Sequence, residues 1–324
     1  MPGQPADGML TVFAIPKAFR ERFDVIQRNA IRSWTLLSPM PQVILVGDDE
    51  GTSDVASELK LLHIPEIERN VYGTPIARSI FQAGQARASG RLLCYVNSDI
   101  ILMSDFMEMA RAVSSKVGEK TFLVVGRKLT VDLPRSLNFA DQEWEVRLKR
   151  LALESGRHVT YDSDFFLFSA GTFAFDEMPP FAIGRCFWTQ WLIFNARSRG
   201  IPVIDATAEV LSIESKHDYS HVLSTGGAKR LSGPEYRLNR RLFKGCKYLT
   251  TADATHVLVS SGLKKAPSIR RVLSLLVRLD YYLYFLLKGT LYPYSLPLIL
   301  LLRWVRASVR AVAGGYRLVV AKPR

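Results

Sequence analysis

Three short apolar runs, separated by helical patterns, constrain the fold of this chain more than any other feature. Residues 10–15 are apolar and β-rich and stop at Pro16. Residues 42–46 form a second run and lead into the turn-forming stretch 47–53. Residues 91–96 form a third, ending at Asn97, Ser98 and Asp99. Runs of this length with no polar alternation read as strands buried on both faces. Between them, Phe23, Ile26, Ala30, Ile31 and Trp34 recur at helical spacing over 23–37. Residues 54–62 and 76–88 also read as helices, the second closed by Gly90. Strand, helix, strand, helix, strand predicts a parallel sheet covered by helices on both faces. Ligands of such sheets bind beyond the carboxyl ends of the strands. Both acidic stretches, 47–50 and 97–99, fall at those ends.

The remainder continues the pattern less regularly. Residues 105–117 read as a helix, 121–126 as a strand, and 137–155 as a charged surface helix. Residues 165–168 and 170–175 are strand-like, 188–199 form a helix stopping at Gly200, and 202–206 form a strand. Residues 207–265 are mixed and loop-rich. A chain of 324 residues, 48% of them apolar, has room for one large α/β domain with an appendage. Cys94, Cys186 and Cys246 are too far apart for a disulfide framework or zinc knuckle, which points to a reducing compartment. The first eight residues lack the basic and apolar regions of a signal peptide, so a cytoplasmic location is expected. No GxGxxG or P-loop pattern occurs, which leaves dinucleotide and NTPase readings without support.

Charge singles out the end of the chain. Twelve basic residues and a single acid, Asp280, lie in 262–324, so this stretch carries +11 of the chain's net +13. The bases are interleaved with apolar runs, unlike the basic surface of a nucleic-acid-binding fold. The longest uncharged run, 289–302, is broken by Pro293 and Pro297. It is shorter than the roughly 20 residues a membrane crossing needs. Residues 266–324 are therefore expected to form a basic amphipathic segment lying at a membrane surface; the alternative is a helical subdomain or an oligomer interface.

The chemistry-bearing candidates start at the end of the third run. Asn97, Ser98 and Asp99 set closely spaced oxygens after a strand, a pattern suited to a hard divalent cation. The same three residues are equally at home in a turn or helix cap. Further on, His217 and His221 fall within five residues of each other, just after Lys216, and Gly226 and Gly227 follow. Such histidines can complete a metal shell, or cap backbone groups in a structural loop.

Taken in order, these elements resemble the GT-A superfamily of nucleotide-diphospho-sugar transferases over about residues 10–225. The resemblance implies an α/β, Rossmann-like fold, its mostly parallel sheet flanked by helices, with the amphipathic helical extension behind it. It implies a catalytic domain over 1–230, a loop-rich connection over 231–265 and the membrane-associating segment over 266–324. The loop after the first strand, at Pro16, and an acid after the second, Asp48, would meet the base of the donor. Arg78 matches a Gly–Pro–basic stretch that begins at Gly73. Asn97, Ser98 and Asp99 occupy the place of the family's DxD motif, with Asn97 where Asp is usual. Asp99, with His217 or His221, would hold Mn²⁺ or Mg²⁺, and Lys216 could pair with phosphate. The place of the acidic pair that supplies the base in many inverting members reads Phe187, Trp188, Thr189, Gln190 and carries no carboxylate. Asp164 and Asp162 are the substitutes, or else form a turn ahead of the strand. Arg185 is a phosphate or acceptor candidate, or a surface ion pair.

The implied activity is transfer of a sugar from a UDP- or GDP-linked donor to an acceptor. Because of the basic tail, that acceptor is expected to be a lipid-linked or surface glycan, as in polysaccharide biosynthesis, with the protein peripheral to the membrane. The rivals are a nucleotidyltransferase and a non-catalytic nucleotide-sugar-binding protein. A nucleotidyltransferase would carry a glycine-rich loop after the first strand, and residues 15–20 contain no glycine.

Overall fold

A computed structural model describes residues 9–156, 163–216 and 233–268, and beyond them Arg270, Val272, Ser274, Leu275 and Leu279. The three apolar runs become β1 (Leu10–Ala14), β2 (Gln42–Val46) and β4 (Leu92–Val96), with β1 lying parallel between the other two. The connecting helices are α1 (Glu21–Thr35), α2 (Thr52–Glu58) and α3 (Ala77–Arg87). Leu10, Val12 and Ala14 of β1 join one apolar cluster with Ile31 and Trp34. Phe13 and Ile15 join a second with Ile80 and Phe81. Alternate side chains of one strand thus fill two cores, one on each face of the sheet, so the strand is apolar on both faces, except at Thr11, whose hydroxyl donates to the Gln42 side chain at 2.8 Å.

Among the described residues, the main sheet has nine strands. β3 (Leu62–Ile64) pairs parallel with β2 at one edge. On the other side, β8 (Phe165–Ser169) is inserted antiparallel between β4 and β6 (Leu123–Gly126). β9 (Val203–Asp205) then pairs parallel with β6, and β11 (His256–Val259) with β9. β12 (Gly262–Lys265) closes that edge as an antiparallel hairpin partner. A mostly parallel sheet flanked by helices is the architecture expected from the sequence. A second, three-stranded sheet sets β10 (Ile213–Ser215) between β5 (Ile100–Ile101) and β7 (Leu129–Val131).

Several elements differ from their sequence patterns, for local reasons. Helix α2 stops at Glu58 because Lys60 adopts a left-handed φ of 55°; the chain then returns as β3. The expected helix over 137–155 shortens to α5 (Trp144–Ser155). Ahead of it, the side chains of Asn138 and Asp141 accept the backbone N–H groups of Ala140 and Glu143, an Asx arrangement that competes with helix. Residues 170–175 are not a strand. They turn at Thr172, whose N–H meets the Ser169 carbonyl, and send Phe173 and Phe175 into the second core against Phe168. The stretch 231–265, expected as a loop-rich connection, holds helix α7 (Pro234–Leu242) and the β11–β12 hairpin, which extends the main sheet. Helix α4 (Ser104–Val117) covers the first core, and α6 (Trp188–Ser198) the second.

Candidate active site

The sheet register assembles the site. Phe165 of β8 pairs with Val96 of β4, so the residue before one faces the residue after the other. The Asn97 N–H donates to the Asp164 carbonyl at 3.0 Å, and the Asn97 side-chain amide donates to the Asp164 carboxylate at 3.0 Å. The Tyr95 hydroxyl donates to the Asn97 side-chain oxygen at 3.2 Å. Asn97 is thereby bonded on both sides.

The small sheet supplies the next layer. Glu214 of β10 lies opposite Ile100 and Thr130, one residue past Asp99 and two past Lys128. The Lys128 ammonium sits between two carboxylates, 3.1 Å from Asp164 and 2.6 Å from Glu214. The Thr130 hydroxyl donates to the other oxygen of Glu214 at 3.1 Å. Burial raises the proton affinity of Glu214; Lys128 opposes this, and the charges of Asp99 and Asp164 add to it. Burial likewise pushes the Tyr95 phenol up, helped by Asp99 and Asp164. Glu214 thus feels the charges of both Asp99 and Asp164.

A third strand end completes the cluster. After β1 the chain is fixed to α1 by the Gln27 amide, which accepts the Lys17 N–H at 2.7 Å and donates to the Lys17 carbonyl at 2.8 Å. The Ser98 hydroxyl donates to the same Gln27 oxygen at 2.8 Å. The Lys17 ammonium lies 3.8 Å from the Asp99 carboxylate and 4.8 Å from the Phe23 ring centre. Gln27 therefore joins the loops after β1 and β4, and Lys17 partly balances Asp99. Pro16, at the head of this loop, is buried.

The remaining sequence candidates have other described partners. Asp48 binds the Arg69 guanidinium at 2.5 Å, and Arg69 also reaches Asp49 at 3.0 Å; the hydrogen bond from Arg69 holds the Asp48 carboxyl below the ordinary range. Arg78 donates to Glu68 at 3.1 Å. Lys216 is exposed; its N–H meets the Val131 carbonyl at 2.7 Å, and its own carbonyl accepts from Arg22. Arg185 is not in a surface pair. It is buried against Glu235, at 2.6 Å, and Asn70 donates to the other Glu235 oxygen at 2.7 Å. At the head of α6 the Gln190 side chain accepts the Phe187 N–H at 2.8 Å, while Trp188 packs edge-on against Tyr95 with ring centres 5.3 Å apart. Asp162, His217 and His221 lie outside the described residues.

Sequence reasoning missed Lys17, Gln27, Lys128 and Glu214. Their meaning comes from strand pairing and from the packing of α1 on the loop after β1, which residue types alone do not state. Among the described residues, no three His, Cys, Asp or Glu side chains are disposed to hold one metal ion. Asp99 still offers a hard carboxylate oxygen of the kind Mg²⁺ takes, in sites where water and substrate phosphate fill the rest of the shell.

Neither a protein-family profile nor a curated protein matches the chain. Among solved structures it is similar to TarS 1–349 from S. aureus in complex with UDP-GlcNAc, at 12% identity and a TM-score of 0.45. The match covers 66% of this chain and 60% of that one, so this chain spans about three fifths of the TarS chain. It is also similar to the mannosyltransferase PcManGT from Pyrobaculum calidifontis in complex with GDP-Man and Mn²⁺, at 14% identity, TM-score 0.42, over 100% of this chain and 85% of that one. A third likeness is to glucosyl-3-phosphoglycerate synthase from Mycobacterium tuberculosis with Mg²⁺ and UDP, at 13% identity, TM-score 0.41, over 80% and 88% of the two chains.

Proposed function

We propose that this protein is a glycosyltransferase that moves a sugar from a nucleoside-diphosphate donor, UDP- or GDP-linked, to an acceptor hydroxyl. The observation that carries the reading is the hydrogen-bonded cluster joining the loops after β1 and β4 through Lys17, Gln27, Ser98 and Asp99. It stands at the carboxyl ends of adjacent parallel strands, where α/β sheets bind their ligands. A cation paired with a carboxylate there suits a diphosphate, whose charge must be met both on binding and as it leaves.

In this reading Asp99 holds a divalent cation together with the donor's own phosphate oxygens, and Ser98 keeps the motif in register through Gln27. A bound Mn²⁺ or Mg²⁺ would neutralise the leaving diphosphate. Lys17 adds a fixed positive charge on the same side. Pro16, Asp48 and Arg78 are assigned to the donor's nucleoside end, and Lys216, with His217 and His221, to the phosphate and metal side. Asp164 is assigned the base that takes the acceptor proton. Glu214 competes for that role, because burial raises its proton affinity and a stronger base takes the acceptor proton more readily. The pH–rate profiles of Asp164→Asn and Glu214→Gln decide between them: the variant that removes the base loses the acidic limb.

The acceptor is proposed to be lipid-linked or part of a surface glycan, because residues 266–324 are read as associating with the membrane surface. Among the described residues, no helix is long and apolar enough to cross a membrane. The test of the function is a donor-hydrolysis screen across UDP- and GDP-sugars, with and without Mn²⁺ or Mg²⁺. Release of free nucleoside diphosphate from at least one donor is expected. Binding of donor without release, with every acceptor class tried, would favour a non-catalytic binding protein, a reading that the absence of a carboxylate at Thr189 and Gln190 supports.

A further inference from the structure

Beyond β12, the five described residues Arg270, Val272, Ser274, Leu275 and Leu279 lie on helical backbone. At roughly 100° per residue, Arg270 and Ser274 fall on one side of a helix, and Val272, Leu275 and Leu279 on the opposite side. The polar side is the one attached to the domain. The Arg270 guanidinium donates to the Asp205 carboxylate and, at 2.8 Å, to the Thr251 carbonyl. The Ser274 hydroxyl donates to Asp253, and Ser274 is 2% exposed. The apolar side faces out: Val272 is 45% exposed, Leu275 60% and Leu279 44%.

A helix on a water-soluble surface does the reverse, turning its apolar stripe to the core. Here the helix cannot roll to bury the stripe without breaking the Arg270–Asp205 pair. Burial alone would raise the Asp205 carboxyl, but Arg270 and Thr207 outweigh it and hold the group ionised. The stripe is therefore presented outward by design of its polar side.

We infer that Val272, Leu275 and Leu279 form the docking face by which this protein sits on an anionic lipid surface. Charge selects that occupant. Lys264 and Lys265 are exposed at the end of β12, Arg271 and Arg278 directly precede Val272 and Leu279 in sequence, and 262–324 carries twelve bases against one acid. A second copy of the chain would bring like charges together. A bilayer with anionic headgroups accepts the apolar side chains and neutralises the bases together. The inference rests on the proposed membrane association of residues 266–324 and names the face that begins it; it is independent of the sugar-transfer reading.

The test uses the full chain and vesicles of phosphatidylcholine, alone or mixed with phosphatidylglycerol. The wild type should co-sediment with the mixed vesicles, less so at high salt. The triple variant Val272→Ser, Leu275→Ser, Leu279→Ser should bind them at least about tenfold more weakly, while its thermal unfolding stays near wild type because the side chains removed are exposed. Wild type that fails to bind mixed vesicles overturns the membrane reading itself. Wild type that binds, with an equally tight triple variant, overturns the assignment of this face alone. Wild-type self-association that the triple variant abolishes, with vesicle binding unchanged, assigns the stripe to a second copy instead.

Discussion

Replacing Lys128 by Met removes an ammonium that the buried carboxylates of Asp164 and Glu214 share, at 3.1 and 2.6 Å. Asp164 keeps its bond from Asn97 and Glu214 its bond from Thr130, so hydrogen bonding alone does not collapse. What is lost is charge balance, and unpairing a buried ion typically costs about 3–5 kcal/mol. A ceiling follows from protonation. Glu214 can escape by taking up a proton, and protonating a carboxyl with an unfolded pKa near 4.3 costs about 1.36 kcal/mol per pH unit above that value. The expected loss is therefore about 3–4 kcal/mol at pH 7 and only about 1–1.5 near pH 5.3.

The sign is fixed by linkage. A carboxyl whose folded pKa lies above its unfolded one binds more protons in the folded state, so stability falls as pH rises between the two values. Burial already gives Glu214 this behaviour in the wild type, and Lys128→Met must steepen it. Urea unfolding followed by circular dichroism from pH 5 to 8 measures the slope, and adding Glu214→Gln to the variant should flatten it. An unchanged slope in Lys128→Met, or no rescue by Glu214→Gln, would refute the argument that these groups share one charge.

Three other outcomes are expected. Arg185→Met strands Glu235 in the core, where the pair is now 2.6 Å apart; the loss should be about 3–5 kcal/mol by denaturant unfolding, and Arg185→Met with Glu235→Gln should recover part of it. In Gly84→Ala, the new Cβ would stand 2.5 Å from the Phe13 ring, which is itself packed by Phe81 and Tyr95. Overpacking of about 1–3 kcal/mol should exceed the roughly 1 kcal/mol of helix propensity gained, so the melting temperature should fall where an open helical site would show a rise. Gln27→Ala unties the loops after β1 and β4; donor affinity should drop by at least about tenfold in titration calorimetry, with thermal stability changed far less than by Arg185→Met.

The sheet could be read from the sequence where burial on both faces made it unmistakable. β1, β2 and β4 show as short apolar runs with little polar interruption, and their order placed Asn97, Ser98 and Asp99 at a carboxyl end. Strand direction was not legible in the same way. The run that forms β8 is as apolar as its neighbours, and an apolar run reads alike in both directions; only its pairing makes it antiparallel. Residues 170–175 show the limit of composition, since their aromatics fill a core from a turn as well as from a strand. The candidate site was half legible. Asp164 was found as a carboxylate ahead of a strand, and the register explains why it meets Asn97. Lys128, just ahead of β7, and Glu214, on β10, are 86 residues apart in sequence, and β7 and β10 are each only three residues long, too short for a period to show. Gln27 sits on the inner side of an ordinary amphipathic helix, where a buried glutamine looks like any interruption of the stripe.

In the proposed function, the Asp99 carboxylate, held beside Lys17 at the end of β4, binds the metal that meets the diphosphate of a nucleotide-sugar. Isothermal titration of the full chain with UDP and GDP, each with and without Mn²⁺, tests it most directly when repeated on Asp99→Asn. Metal-dependent binding of at least one nucleotide by the wild type is expected, with loss of that metal dependence and at least about tenfold weaker affinity in the variant. Equal, metal-dependent binding by both proteins would contradict it.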